Sequence, residues 1–118
     1  MTASRKHFDD ILAALSVTQD AMKAQWFSLP AMKINGRIFA ALWLNGDMVF
    51  KLRDPQHRAA LALEGSTRFQ PLPDRAAMRE WVQVTPAHAD QWSALAEAAL
   101  NYVQAVTQAA AQRKKRKA

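Results

Sequence analysis

The chain has no cysteine, only three glycines and no long hydrophobic run. Without cysteine, a disulfide framework and thiolate metal sites are excluded. No apolar run approaches the roughly 18 residues that a membrane span requires, and the N-terminus lacks the apolar stretch of a signal peptide. These absences predict a cytoplasmic protein that makes no contact with a membrane.

Positive charge is concentrated at the C-terminus. The net charge of the 118 residues is +6, and five of the sixteen Lys and Arg residues are Arg113, Lys114, Lys115, Arg116 and Lys117. The other eleven are almost balanced by ten Asp and Glu residues. The basicity therefore belongs to a tail, which predicts a C-terminus that binds anionic partners more than a generally basic domain.

Half of the residues are hydrophobic and four are tryptophan, so one packed core is expected. We divide the chain into a single domain over residues 1–106 and a helix end with a basic tail over residues 107–118.

Two Asn-Gly pairs, Asn35-Gly36 and Asn45-Gly46, divide an apolar stretch into three alternating runs. Asn-Gly is the pair that most readily forms the type I′ turn of a two-residue hairpin. The pattern predicts a three-stranded meander of Ala31–Ile34, Arg37–Leu44 and Asp47–Arg53.

Helical spacing and turn residues predict the elements around the meander. A helix is expected from Ser4 to Leu15, a second over Gln56–Glu64 after an Asp54-Pro55 cap, and a last one from Thr85-Pro86 to about Ala111. Further strands are expected at Ala21–Trp26, Arg68–Gln70 and Arg79–Thr85. The predicted class is α+β: an antiparallel sheet of about five strands, with the N- and C-terminal helices on one face and a short helix between strands.

Two-residue loops would pair Ile34 with Arg37 and Leu44 with Asp47. They would also decide which side chains share a face of the sheet. The face expected under the helices carries Met32, Ile34, Phe39, Ala41, Trp43, Met48, Phe50 and Leu52. The opposite face carries Lys33, Ile38, Ala40, Leu42, Leu44, Val49, Lys51 and Arg53, and is half apolar with cations at its edges. A bulge in either loop would reverse part of this assignment.

Several segments in one order resemble a known family. They are the Pro-Ala-Met-Lys-Ile-Asn-Gly-Arg-Ile-Phe-Ala run of residues 30–40, the Val-Phe-Lys-Leu run of 49–52 with the Asp-Pro-x-x-Arg helix start that follows, the Phe-Gln-Pro run of 69–71, and the Met-Arg-Glu-Trp-Val run of 78–82. Together they resemble the MmcQ/YjbR-like family and the related N-terminal domain of TfoX-type proteins, over about Phe8 to Val103.

The resemblance implies an α+β fold similar in outline to that of frataxin and CyaY. Members of the family are often labelled DNA-binding, and TfoX is linked to transcriptional control of competence. The resemblance therefore implies a DNA-binding or regulatory role.

Cations on the predicted sheet are the candidate contacts to nucleic acid. They are Lys33, Arg37, Lys51, Arg53, Arg75 and Arg79, together with the five tail residues. Such side chains can bind phosphates, weakly and without sequence preference, or they can be solvated protection of sheet edges. Trp43, Trp81 and Phe39 could stack on bases, but the pattern places Trp43 and Phe39 on the core side, and Trp81 is expected to be in the core or half-buried.

The sequence offers little for metal binding or catalysis. His7, His57 and His88 fall on three separate predicted helices and none has a second ligand at metal-binding spacing. No Gly-rich phosphate loop or nucleophile elbow occurs. Glu80 is the best single carboxylate, and an ion pair with Arg79 or Lys51 explains it more simply. We expect no enzyme activity, no metal and no cofactor.

Two functional hypotheses follow. The first is a non-enzymatic bacterial domain that binds DNA weakly or acts as a regulatory accessory. The second is a protein-interaction module or homodimer that uses the half-apolar face with Ile38, Leu42, Leu44 and Val49. Salt separates them, because phosphate contacts weaken steeply with salt and apolar burial does not.

Overall fold

Six strands form one antiparallel sheet in the order β1-β2-β3-β4-β6-β5. A computed structural model describes residues 3–117, and side chains within residues 3–113. The strands are β1 (Met22–Trp26), β2 (Leu29–Ile34), β3 (Arg37–Leu42), β4 (Met48–Lys51), β5 (Thr67–Phe69) and β6 (Met78–Val84). The helices are α1 (Ala3–Gln19), α2 (Gln56–Leu61) and α3 (Ala89–Lys117), with a 3₁₀ turn at Pro86–His88 before α3. The predicted α+β class is confirmed, with one strand more than expected.

All three helices pack on the same face of the sheet. The apolar positions of α1 and α3 recur every three or four residues, so each helix presents one apolar stripe to the strands. The buried side chains of this main core include Phe8, Ile11 and Leu15 of α1, Ala60 of α2, and Trp92, Ala96 and Leu100 of α3. The sheet contributes Met32, Phe39, Met48, Phe50 and Val82, among others. The opposite side of the sheet is called the open face below, because the helices leave it uncovered.

The two Asn-Gly turns differ from each other. Asn35 and Gly36 have φ of 52° and 78°, and Ile34 pairs with Arg37, as a two-residue type I′ turn requires. The second loop is longer, because Leu42 pairs with Met48 and the Trp43 amide donates to the Asp47 carbonyl at 2.8 Å. Gly46 alone supplies the left-handed residue of that pair, with φ of 93°. The predicted Leu44–Asp47 pairing is therefore wrong.

A bulge on β3 corrects part of the predicted face assignment. Lys33 pairs with Ile38 but Met32 pairs with Ala40, so Phe39 is an extra residue. One extra residue reverses every side chain that follows. Ala41 and Trp43, predicted under the helices, therefore lie on the open face.

The bulge also removes residues from the predicted half-apolar surface. Ala40 and Leu42 are buried in the main core instead. Val49 does lie on the open face, but it is fully buried there in a second cluster. Of the four residues that the interaction hypothesis required, Ile38 is half-buried and Leu44 is exposed. The proposed half-apolar surface is thus mostly interior.

Helix ends differ from the prediction in three places. The first helix, α1, continues to Gln19, beyond the predicted end at Leu15. Pro55 precedes α2 instead of starting it, no side chain caps that helix, and α2 ends at Leu61. The last helix begins at Ala89, after the 3₁₀ turn, and continues to Lys117, beyond the predicted end at Ala111. Residues 113–117, the cations of the tail, are therefore part of one continuous helix.

A second, smaller core covers the centre of the open face. Ala31, Ala41, Val49, Phe69 and Trp81 are buried there, with Trp26 and Trp43 packed against them. Trp26 of β1 contacts Trp81 of β6 with ring centroids 4.5 Å apart. In a flat sheet those two strands would be about 19 Å apart, since four strand spacings separate them. The sheet therefore curls, and the tip of the β1–β2 hairpin folds over the open face.

Candidate nucleic-acid interface

Four of the predicted cations meet at one end of the sheet. Antiparallel pairing places the start of β3, the end of β4 and the start of β6 side by side, because Lys51 pairs with Trp81 and Ala40 pairs with Phe50. Arg37, Arg53 and Arg79 therefore lie at the ends of three neighbouring strands, which are spaced about 4.8 Å apart. We call Arg37, Lys51, Arg53 and Arg79 the cationic end.

The C-terminal helix reaches the same end. The Asn35 side-chain amide, in the turn beside Arg37, donates to the Thr107 hydroxyl at 2.9 Å. Beyond Thr107, α3 continues ten residues, or about 15 Å, to Lys117. Arg113 is exposed on this extension. The side chains of Lys114, Lys115, Arg116 and Lys117 lie outside the described residues.

Within the cationic end, the side chains of Lys51 and Arg53 are organised by Glu80 and Tyr102. The Glu80 carboxylate lies 3.9 Å from the Lys51 ammonium and accepts a hydrogen bond from the Tyr102 hydroxyl. The Arg53 guanidinium lies over the Tyr102 ring, 5.3 Å from its centroid. A cation over an aromatic face is attracted to the ring electrons. The Tyr102 ring therefore holds the Arg53 guanidinium in a preferred position at the cationic end.

The pKa of Tyr102 is raised above its ordinary value of 10.0. The largest cause is the hydrogen bond that the hydroxyl donates to Glu80, followed by burial and by the charge of Glu80, while Arg53 acts in the opposite direction. The hydroxyl therefore remains a donor to Glu80 at neutral pH. The sequence interpretation that paired Glu80 with Lys51 is consistent with the 3.9 Å distance, and Tyr102 is the partner that sequence reasoning missed.

A shallow groove adjoins the cationic end between the start of α2 and α3. Its volume is about 350 Å³. Arg53, Gln56, Asn101 and Tyr102 contribute polar groups to its walls, and Leu52 contributes to its apolar floor. Amide and guanidinium groups donate to phosphate oxygens, whereas the Glu97 carboxylate, which also lines the groove, repels them.

Two other predicted cations lie near this end but are separate from the row of arginines. Lys33 is half-buried on the open face, where it pairs in register with Met22 and Ile38. Arg75 is exposed in the loop before β6, and its carbonyl accepts a hydrogen bond from the Gln70 side chain at 2.8 Å.

Cations at the opposite end are paired along α1. Arg5 lies 3.1 Å from Asp9 and Lys6 lies 3.0 Å from Asp10, each pair at i, i+4. Such pairs neutralise the surface where they occur. At the cationic end Lys51 is likewise paired with Glu80, but none of the ion pairs found among the described residues involves Arg37, Arg53 or Arg79. The two ends therefore differ in unpaired positive charge, although the sequence outside the tail is nearly balanced.

Aromatic residues on the open face form a site that the sequence did not indicate. Five rings form a connected chain of contacts that we call the aromatic cluster: Trp26, Phe27, Trp43, Phe69 and Trp81. Phe27 is 47 % exposed at the hairpin tip, and Trp26 and Trp43 are half-buried. Of the three rings considered for base stacking, Phe39 is buried in the main core and Trp81 is buried on the open face. Trp43, predicted under the helices, is half-buried on the open face. The available signal was the adjacent Trp26-Phe27 pair, at the end of β1 and the start of the turn.

The histidines have structural partners. The ring of His57 lies 2.7 Å from the Arg79 carbonyl, and that of His88 lies 2.8 Å from the Glu64 carbonyl. His7 packs edge-on against Trp92. Within the part of the chain that the structure describes, no three His, Asp or Glu side chains are grouped so as to hold a metal ion. No helix in residues 3–117 has the length and apolar character to cross a membrane.

Comparisons with protein-family models, with curated proteins and with solved structures gave no match to this chain. The family resemblance therefore stays a prediction.

Proposed function

We propose that this protein is a non-enzymatic, cytoplasmic DNA-binding accessory domain that holds phosphates on its cationic end and on the basic end of α3. The observation that supports the proposal is the meeting of Arg37, Arg53 and Arg79 with the C-terminal part of α3 at one end of the molecule. Phosphate contacts are largely independent of sequence, so binding is weak and non-specific.

The absence of enzymatic activity is part of the proposal. Two of the three histidine rings are engaged with backbone carbonyls, and Glu80 is engaged with Lys51 and Tyr102. These groups serve the fold and the organisation of the cationic end, which leaves them poorly placed to act as general acids or bases.

Protein interaction through the half-apolar face is less well supported. Leu42 is 8 % exposed and Val49 is fully buried, so neither offers a surface to a partner. Leu42→Asp would place a charge inside the main core, and we expect it to unfold the protein before it breaks any interface.

A salt series with matched double variants tests the proposal. Arg37→Ala with Arg79→Ala removes two cations from the cationic end, and Arg5→Ala with Lys6→Ala removes two from the opposite end. Binding of a labelled duplex by each protein is measured by fluorescence anisotropy across a range of salt concentrations. If both arginines contact phosphates, the slope of log affinity against log salt should fall by about 2 in the first variant and stay unchanged in the second.

The tail is tested separately in the full chain. Glutamine at positions 113–117 removes five charges and keeps helix propensity. Loss of all duplex binding in that variant would show that the tail alone binds DNA and that the folded domain makes no contact with it. Equal slopes for the two double variants would overturn the role of the cationic end.

A further inference from the structure

Phe27 occupies a position that normally belongs to a smaller residue. Phe27 and Ser28 have φ of 54° and 61°, which are left-handed values. The β2–β3 turn has nearly the same backbone, with φ of 52° and 78°, and is built from Asn35 and Gly36. A bulky side chain in this region is strained, whereas Asn and Gly adopt it readily. The β1–β2 turn therefore carries a phenylalanine at a cost to its backbone.

Contacts with neighbouring rings bury only part of the Phe27 side chain. Its centroid lies 4.9 Å from that of Trp26 and 5.7 Å from that of Trp43, yet 47 % of the residue remains exposed. The half-buried rings of Trp26 and Trp43 extend the same surface. The tip of the hairpin thus presents flat aromatic groups to solvent, next to rings that fix their orientation.

Positive charge lies farther along the same face. Lys33 pairs with Ile38, which packs against the aromatic cluster, and Lys51 pairs with Trp81. Lys33 lies about 17 Å from the hairpin tip, as measured along β2. Lys51 lies beside Trp81, whose ring contacts Trp26 near the tip, and its ammonium is 3.9 Å from the Glu80 carboxylate. A ligand that matches this face carries negative charge along its length and exposed flat apolar rings.

We propose that the open face binds single-stranded DNA, with bases stacked on Phe27 and Trp43 and with phosphates running past Lys33 and Lys51 to the cationic end. The proposal rests on the DNA-binding function given above and adds that single strands are preferred to duplexes. Stacking requires unpaired bases, and proteins that bind single strands combine aromatic platforms with a cationic path.

The chain supplies its own test variant. Phe27→Asn with Ser28→Gly converts the β1–β2 turn into a copy of the β2–β3 turn, which removes the ring and keeps the backbone conformation. Affinity for an oligothymidine and for a duplex is measured by anisotropy at one salt concentration, with the full chain. We expect affinity for the single strand to fall about 5- to 100-fold, the range for loss of a stacked base, while duplex affinity is unchanged.

Val17→Asn is the matched control, because Val17 is an exposed apolar residue on α1. It should leave both affinities unchanged. Equal loss of single-strand and duplex affinity in the turn variant, or no loss of either, would overturn the proposal. When either of these outcomes occurs but the unaltered protein still binds the duplex through Arg37 and Arg79, the single-strand proposal fails and the proposed function stands. Absence of all DNA binding by the unaltered protein would overturn both.

A measurement on the unaltered protein covers the case in which the turn variant does not fold. Saturating oligothymidine should quench tryptophan fluorescence, since Trp26 and Trp43 border the stacked base, whereas the duplex should not. An unchanged spectrum would overturn the proposal. Tighter binding of oligouridine than of oligothymidine would overturn the assignment to DNA. Self-association that is lost in the turn variant, seen by sedimentation, would assign the face to a second copy of the chain.

Discussion

Glu80 shows how one side chain can organise a surface. It accepts a hydrogen bond from Tyr102, and its second oxygen lies 3.9 Å from Lys51. Tyr102 in turn lies beneath Arg53. An exposed ion pair contributes little to stability, so the effect of Glu80 is mainly to position two cations and one ring.

The single tyrosine of the chain makes this arrangement measurable. The ultraviolet titration of Tyr102 should have a midpoint above the ordinary pKa of 10.0, because Glu80 raises it. Glu80→Gln should lower the midpoint toward that value. Lys51→Gln, which keeps the carboxylate, should leave the midpoint raised. An unchanged midpoint in Glu80→Gln would show that the carboxylate is not the cause.

The raised pKa also predicts a pH dependence of stability. Since the pKa of Tyr102 is higher in the folded than in the unfolded chain, its stabilising effect is complete below about pH 10 and is lost as the pH rises through the folded pKa. Denaturant unfolding should therefore show a shallower decline of stability above pH 10 in Tyr102→Phe than in the unaltered protein. Parallel declines would contradict the assignment.

Substitutions at Gly36 and Gly65 allow the cost of backbone strain to be measured separately from the cost of steric crowding. Gly36 and Gly65 have φ of 78° and 84°, so Ala costs about 1 to 2 kcal/mol at either position. At Gly65 the added Cβ would also lie 3.3 Å from the Thr85 methyl, whereas nothing lies within 4 Å at Gly36. Denaturant unfolding should show a larger loss for Gly65→Ala than for Gly36→Ala. Equal losses would mean that Thr85 moves aside without cost.

At the scale of elements, α3 is divided into a packed and a projecting part. Leu100 is fully buried, whereas Val106 is 42 % exposed, less than two turns farther along. Leu100→Ala should lower the free energy of unfolding by about 2 to 5 kcal/mol. Val106→Ala should change it by less than about 1 kcal/mol. Similar losses from the two variants would place the C-terminal part of α3 in the core.

Strands and helices were predictable where periodicity and turn residues agreed. The Asn35-Gly36 turn, the main strands and the two terminal helices follow from such local signals. The bulge at Phe39 does not, because neither Ile38 nor Phe39 differs from an ordinary strand residue. That one irregularity moved Trp43 to the open face and Leu42 to the core, and it changed which functional surface the sheet could offer.

At the scale of the whole molecule, the sheet is packed on both faces. Val103 lies in the main core and Val49 lies in the core of the open face. Each Val→Ala change should cost about 2 kcal/mol, from the lost burial of two carbon groups. Residues on opposite sides of a sheet share no partners, so the double variant should show the sum of the two losses. A departure of more than about 1 kcal/mol would show that the two cores are energetically coupled.

Charge segregation between the ends could not be predicted from the sequence. Arg37, Arg53 and Arg79 are far apart along the chain, and local patterns contain no information on strand order. Their meeting depends on β6 lying beside β4 and on the direction in which α3 runs. The candidate residues were therefore predictable as a set of cations, whereas their arrangement required the topology.

The contact between Trp26 and Trp81 has a kinetic consequence. These rings touch across a separation of 55 positions in the chain. The Asn35-Gly36 hairpin joins near neighbours and closes a short loop, whereas the aromatic contact closes a long one at a greater entropic cost. Contacts of this range slow folding. Since all four tryptophans are buried or half-buried and two meet here, their fluorescence should record the closing of the curled sheet as the chain folds.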